Sequence, residues 1–389
     1  PYGAVAFPDA STLAVWLSRA GYRTALFGKY MNGNFLLAPT VPPGWDTWQT
    51  FVQDGDQPGS DAVYYDYTLN ENGTLIPYGH ADADYSTDLL KKRTLRFITA
   101  NAALPFFVVY APFAPHQPAI PAARHAGRFA SLPPWRPPSY DEADVSDKPD
   151  WVKFMAHITT PAGNVQTDVL RQHQLETLLA VDEAVAALLA QLEALGLTDD
   201  TLVVFTSDNG FMWGEHWWWS KWAAYEESIR VPLVIRWPGH MPVAVSRPEL
   251  ALNIDLAPTF AEAAGVPVPP TVDGQSLLPA VDGTGTTWRD DFVTEAWGAI
   301  IVPPYVALRT TRWKLIRDTV RQGIAEELYD LSIDPYELDN LAQDPAFAGV
   351  RATLSTRLDE LLAAPPGGPV ASSVRATPLP IPAPLGGSE

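Results

Sequence analysis

The chain has no cysteine, so its 389 residues hold no disulfide, no thiolate metal site and no cysteine nucleophile. No apolar run approaches the length of a bilayer span, and no membrane-crossing segment is expected. Cations are scarce: 26 Lys and Arg stand against 45 Asp and Glu, a formal net charge of -19. Nonspecific nucleic-acid binding needs a basic footprint, so nucleic acid is not an expected partner. The same charge says little about an anionic substrate, which a few local cations can hold. Apolar residues at 47% and charged residues at 18% are ordinary for a globular protein and exclude a disordered chain. The sequence starts at Pro1 with nothing that reads as a signal peptide, and the expectation is that it begins inside a longer reading frame.

What is present is an alternation of helical and buried-strand patterns. Ser11–Ala20 places Leu13, Trp16 and Leu17 on one helix face and closes on Gly21, and Tyr22–Phe27 reads as a strand ending at Gly28-Lys29-Tyr30. Tyr64–Leu69 and Thr74–Tyr78 read as a hairpin around an Asn72-Gly73 turn, a better reading of that triplet than a glycosylation sequon. Ser86–Asn101 is expected as an amphipathic helix and Phe106–Tyr110 as a fully buried strand. Ala111–Gly163 is a proline-rich excursion of the kind that lines or covers a site. Val169–Leu195 carries a leucine stripe of one long helix, followed by strands at Leu202–Thr206 and Pro232–Trp237 and a helix at Asp255–Ala264.

This order predicts an α/β domain over residues 1–284, a large and mostly parallel sheet sandwiched by helices. Short strand patterns at Phe292–Ala296, Tyr305–Arg309, Trp313–Arg317 and Glu327–Tyr329, then a helix at Val350–Leu362, predict a small C-terminal antiparallel sheet plus helix over 285–363. Residues 364–389, rich in Pro, Gly and Ala, are expected to be an extended or disordered tail.

The chemistry concentrates in Thr201–Gly239, where an apolar strand ends in Asp208-Asn209-Gly210 and Glu215, His216 and Lys221 follow. Alone, Asp-Asn-Gly is ordinary turn chemistry. A carboxylate and an amide at a strand tip also suit a hard divalent cation, and strand tips are where open α/β sheets bind ligands. The whole string, TSDNG…GEH…K…YEESIRVPL, resembles the sulfatase family of the alkaline-phosphatase superfamily. The resemblance implies that Asp208 and Asn209 ligate calcium and that Lys221 contacts the sulfate; His216 either binds substrate or holds the loop. Gly21–Lys29, GYRTALFGK, is similar to the family segment whose Lys sits at the sulfate, which gives Lys29 that role. Two lysines at one tetrahedral anion would offset its charge and that of the leaving group. The following Tyr30-Met31-Asn32-Gly33 and the Tyr64–Gly79 stretch resemble the N-acetylglucosamine-6-sulfatase branch, which makes Asn32 a substrate-binding candidate. Pro115-His116-Gln117-Pro118 is similar to the family's PHxP element, and His116 becomes the candidate general acid. Trp217-Trp218-Trp219 lies between His216 and Lys221; such aromatics suit a sugar-stacking or aryl-binding wall or a hydrophobic lid, and Trp219 is a substrate-binding candidate. Leu328–Ala342 resembles the family's C-terminal ELYDLxxDPxExxNLA signature.

Sulfatases draw their formylglycine nucleophile from a C/S-x-P-x-R motif, and their calcium site uses an acidic pair on a first strand. Both lie upstream of GYRTALFGK in family order, and Pro1–Ala20 contain neither. Ser131–Arg136 places its Arg one position too late, and the acidic pairs Asp199-Asp200 and Asp290-Asp291 read as loop residues. The resemblance therefore implies a calcium-dependent sulfuric ester hydrolase lacking its N-terminal strand and nucleophile, inactive by itself, exported as the family tends to be, and acting on a small-molecule or glycan sulfate ester. Two other readings stand beside it. One is a non-catalytic module that binds sulfated glycans through Lys29, Lys221 and the tryptophans; the other is a phosphodiesterase or phosphonate hydrolase of the same superfamily.

Overall fold

A computed structural model describes residues 3–52, 63–155, 161–283, 288–298, 301–319 and 326–364. The expected tail from 365 onward lies outside them. Helix α1 (Leu13–Arg19) starts at Thr12, whose Oγ1 accepts the Val15 N–H at 3.4 Å, and leads into β1 (Arg23–Gly28). Strand β2 (Thr47–Phe51) lies beside β1, and β3 (Thr68–Glu71) and β4 (Thr74–Pro77) form the hairpin around Asn72-Gly73. Helix α2 (Ser86–Ala100) precedes β5 (Phe106–Ala111), and the irregular excursion follows, holding only the short α3 (Asp150–Lys153) among its described residues. Helix α4 (Pro161–Ala194) begins eight residues before the leucine stripe does.

The sheet order is β4-β3-β2-β1-β5, with β5, β1 and β2 parallel and the β3–β4 hairpin antiparallel. The sheet is therefore mixed rather than mostly parallel, because a two-residue turn can join only antiparallel neighbours. Its core packs Phe27 edge-on against Phe97 of α2 at 6.0 Å and continues through Tyr64, Tyr67 and Tyr85. Strand β6 (Val203–Thr206) pairs antiparallel with a later strand, β9 (Leu233–Arg236); between them lie the two-residue strands β7 (Met212–Trp213) and β8 (Trp219–Ser220) and helix α5 (Glu226–Ile229). Helices α6 (Leu256–Ala263) and α7 (Leu278–Asp282) complete the domain.

Strand β5 departs from its expected full burial: all six residues are half-buried. Among the described residues it pairs on one side only, with β1, so its other edge is open. The β6–β9 pair is similarly uncovered, with Phe205 42% and Val234 58% exposed. Apolar β-branched and aromatic strands of this kind ordinarily lie inside a sheet.

The C-terminal sheet matches its expectation closely: β10 (Asp291–Ala296), β11 (Tyr305–Thr310), β12 (Trp313–Asp318) and β13 (Glu326–Asp330) pair antiparallel in sequence order. Helix α8 (Ala348–Ala363) lays Val350, Leu354 and Leu358, spaced four apart, onto Leu308, Leu315 and Leu328. The opposite face of this sheet meets the Gly214–Tyr225 segment through a core of Trp151, Trp218, Tyr225, Tyr305 and Tyr329.

Candidate active site

Strands β1 and β5 end level with each other, Gly28 opposite Ala111. Gly28 has φ +120°, and a Cβ there would lie 1.9 Å from the Ala111 carbonyl oxygen, so only glycine lets the two strand ends close. The next residue, Lys29, donates its backbone N–H to that oxygen at 2.7 Å. Both strands thus discharge their loops at one end of the sheet. There the Lys29 ammonium lies 5.3 Å from the Phe113 ring centroid, and the His116 imidazole meets the same ring edge-on at 5.8 Å. Phe113 is buried and brings the cation and the imidazole together. The His116 Nδ1 lies 2.7 Å from the Gln117 carbonyl oxygen. A carbonyl only accepts, so Nδ1 carries a hydrogen, and Nε2 is the nitrogen at which the ring would gain and release a second proton. Asn32, exposed, follows Lys29 on the same end of the sheet.

Strand β6 delivers Asp208, exposed, and Asn209 at its tip. Asp208 Oδ1 accepts the Asn209 N–H at 3.0 Å, and Asn209 Nδ2 donates to the Gly210 carbonyl at 2.8 Å, which leaves the Asn209 Oδ1 as its remaining acceptor. A Cβ on Gly210 would lie 2.0 Å from the Glu227 carbonyl oxygen, so the turn is seated directly on α5. Lys221 follows β8; its backbone carbonyl accepts the Trp218 indole N–H at 2.7 Å.

One face of α4 ties the two groups together. Gln174 accepts the Trp213 indole N–H at 2.7 Å, and Thr177, three residues on, donates its hydroxyl to the Gln174 carbonyl at 2.7 Å and lies beside Tyr64, whose hydroxyl donates to the His116 carbonyl at 2.6 Å. The donor set for a metal is another matter. Calcium takes six to eight oxygens. Asp208 and Asn209 offer hard oxygens of the right kind, but no group of three or more metal-ligating side chains occurs among the described residues. By themselves they do not make a calcium cage.

Residues 6–266 match the family model described as Sulfatase, and residues 214–364 match the one described as N-sulphoglucosamine sulphohydrolase, C-terminal. The chain belongs to the sulfatase family. It is 32% identical to the extracellular sulfatase SULF-1 homolog of Drosophila melanogaster over 83% of this chain and 29% of that protein, so it spans under a third of that relative's length. It is 28% identical to an N-acetylglucosamine-6-O-sulfatase of Bacteroides thetaiotaomicron over 90% of this chain and 72% of that protein. Among solved structures, BT4656 in complex with its substrate D-glucosamine-2-N,6-O-disulfate superposes with a TM-score of 0.79 at 26% identity, over 93% of this chain and 85% of that one.

In this sulfatase chain one candidate lies away from the strand ends. His216 is 0% exposed, stacks on Tyr225 at 4.0 Å and places Nδ1 2.6 Å from Glu142 Oε2. Burial pulls its pKa down to about 3, so it is neutral at working pH. It holds the loop; as a substrate ligand it is corrected. Trp219 keeps its candidacy by position, 39% exposed and edge-on to Phe211 at 5.7 Å. The loop carrying it is strained: His216, Trp217, Ser220 and Trp222 have φ of 49°, 59°, 99° and 86°. Non-glycine residues in that region each cost on the order of 1–3 kcal/mol.

Glu215 carries a further consequence. Its carboxylate accepts the Trp213 N–H at 2.5 Å, and burial, with Glu227 nearby, raises its pKa from 4.5 to about 7. A carboxyl raised in the folded state contributes stability that is full below pH 4.5 and is lost as pH climbs to about 7. Glu215→Gln removes that loss. Urea unfolding is therefore expected to show the variant gaining up to about 3 kcal/mol on wild type between pH 5 and pH 8. An equal difference at both pH values would show that Glu215 does not titrate in this window. Sequence alone pointed to none of Phe113, Tyr64, Gln174 or Thr177, because their contributions are tertiary contacts with no local pattern.

Proposed function

We propose that this chain is the sulfate-gripping portion of a calcium-dependent sulfuric ester hydrolase acting on a sulfated sugar. Its formylglycine nucleophile and remaining calcium ligands are supplied by residues outside these 389. The observation that carries the reading is the convergence of Lys29 and His116 on Phe113 at the level ends of β1 and β5. Lys29 and Lys221 would bind the sulfate oxygens, and Asn32 and Trp219 would contact the group that bears the ester. His116, as an imidazolium keeping its Nδ1 hydrogen on the Gln117 carbonyl, would give a second proton from Nε2 to the departing alcohol oxygen. Asp208 and Asn209 would contribute part of the calcium's oxygen shell. The formylglycine supplies the attacking oxygen when it is present. The open edges of β5 and β6 support a further strand from the same outside segment. The sugar assignment is supported by the glucosamine disulfate bound to BT4656, and export by the fruit-fly relative's being an extracellular sulfatase.

The test compares the 389-residue chain with a form extended upstream in frame. If a C/S-x-P-x-R motif is encoded there, the extended form is expected to hydrolyse glucosamine 6-sulfate, to lose activity in EDTA, and to bind less of an apolar dye than the shorter chain. The 389-residue chain is expected to show no turnover. Calcium-dependent hydrolysis of an aryl sulfate by the shorter chain would overturn the proposal. So would an extended form that carries the modified residue and remains inactive.

A further inference from the structure

Four tryptophans sit between residues 217 and 222, and they divide into two kinds. Trp217 and Trp218 are pins. The Trp217 indole donates to the Glu142 carbonyl at 2.8 Å; Trp218 is buried edge-on against Trp151 at 5.6 Å and holds the Lys221 carbonyl. Trp219 and Trp222 are instead 39% and 40% exposed, one on each side of Lys221 in the chain. The Lys221 ammonium lies 5.7 Å from the Trp222 ring centroid. This presentation is held against unfavourable backbone geometry at Ser220 and Trp222, the two residues that flank the lysine. A second pairing of indole and cation lies nearby. Trp213 stands opposite Trp219 in the β7–β8 ladder, and its indole donates to Gln174, three residues along α4 from Arg171. Trp135 is exposed, and the Arg171 guanidinium lies 5.6 Å from its ring.

From this arrangement we infer that Trp219 and Trp222 form an open platform for the pyranose rings of a sulfated oligosaccharide, with Lys221 between them taking a sulfate and the Trp135–Arg171 pair receiving a neighbouring anionic unit. The inference rests on the sulfatase reading of Lys221. Sugar C–H faces stack on indole, sulfates pair with the ammonium and the guanidinium, and a surface alternating the two matches a chain that alternates rings and anions. A single aryl sulfate would use one indole and gain nothing from the second pair.

The probes are inorganic sulfate, glucosamine 6-sulfate, a heparin tetrasaccharide and 4-nitrophenyl sulfate, titrated against the 389-residue chain by calorimetry and ligand-observed NMR. Wild type is expected to bind the tetrasaccharide at least tenfold more tightly than the monosaccharide. Trp219→Ala and Trp222→Ala should each weaken both sugar probes five- to tenfold and leave inorganic sulfate within twofold, with unchanged circular dichroism. Trp219→Phe, which keeps an aromatic beside Phe211, should retain most of the affinity, and Arg171→Gln should weaken the tetrasaccharide alone. Unaltered sugar affinity in both Trp→Ala variants, or tighter binding of 4-nitrophenyl sulfate than of the sugars, overturns the inference. If Lys221→Met still abolishes sulfate binding in that case, the sulfatase reading survives it. If no probe binds, or if Lys221→Met changes nothing, both fail.

Discussion

Replacing Lys314 with Met is expected to destabilise the protein by about 3–5 kcal/mol at pH 8, the largest stability effect of any single substitution considered. Lys314 lies on the buried face of β12 with no solvent exposure. Its ammonium is 2.9 Å from Glu226, 2.6 Å from Glu337 and 2.9 Å from the Ala224 carbonyl. The two carboxylates depend on it unequally. Burial alone would raise Glu226, but Lys314 and Arg309 outweigh burial and hold its pKa at about 2. Glu337 is fully enclosed; burial wins there, and its pKa is raised to about 7 even with Lys314 beside it. Removing the lysine leaves Arg309 for Glu226 at 3.1 Å but no cation for Glu337. An unpaired buried carboxylate can escape by taking a proton, so the penalty should shrink toward pH 5 and grow above about pH 7. Urea unfolding at both pH values checks this, and Glu337→Gln in the Lys314→Met background should recover part of the loss at pH 8. A loss under about 1 kcal/mol at pH 8 would mean that the cluster is well solvated.

That cluster also bears on the site. Glu337 accepts the backbone N–H of Glu226 at 2.7 Å, at the start of the helix on which the Asp208–Gly210 turn is seated. Tyr225 donates to Glu327 of β13 at 2.8 Å. The C-terminal sheet therefore grips Ala224–Glu226, three to five residues beyond Lys221, and anchors the end of the loop that carries this lysine. Within the Leu328–Ala342 signature, Glu337 is thus a clamp on the helix that seats the Asp208–Gly210 turn.

The elements legible in the sequence are those whose cause is local. Thr12 caps α1, Asn72-Gly73 turns the β3–β4 hairpin, and the fourfold spacing of Val350, Leu354 and Leu358 marks α8. Strand existence was equally legible at β5 and β6, but their burial was not, since burial depends on which strands pair beside them. Phe106–Tyr110 reads as interior, yet β5 is half-buried because its second edge is open among the described residues. The proline at the start of α4 hid its first two turns, which carry no leucine. Within the candidate site, motif order pointed to Lys29, His116 and Lys221, but it could not separate a histidine at the strand ends from one that faces the core. His216 and His116 look alike as letters; Glu142 and Tyr225 decide the matter for His216, and both contacts are made across the fold.

Replacing His116 with Gln, in the extended form that carries the nucleophile, is expected to lower kcat/KM for glucosamine 6-sulfate by about 10²–10⁴-fold. The reason lies in the leaving group. A sugar alkoxide is strongly basic and departs only if a proton reaches its oxygen, and in the proposed reading the His116 imidazolium supplies it from Nε2, Nδ1 being engaged by the Gln117 carbonyl. 4-Nitrophenolate is weakly basic and needs no such help. The same variant should therefore lose little activity on 4-nitrophenyl sulfate. Lys29→Met makes the useful contrast. Lys29 lies 5.3 Å from the same Phe113 ring but in the proposed reading acts on the sulfate, which both substrates share. Its loss should cost each of them a similar factor, of order 10²–10³. If His116→Gln slows both substrates equally, the imidazole holds the sulfate or the loop rather than the proton. The acid would then have to be sought among the residues that the extension contributes.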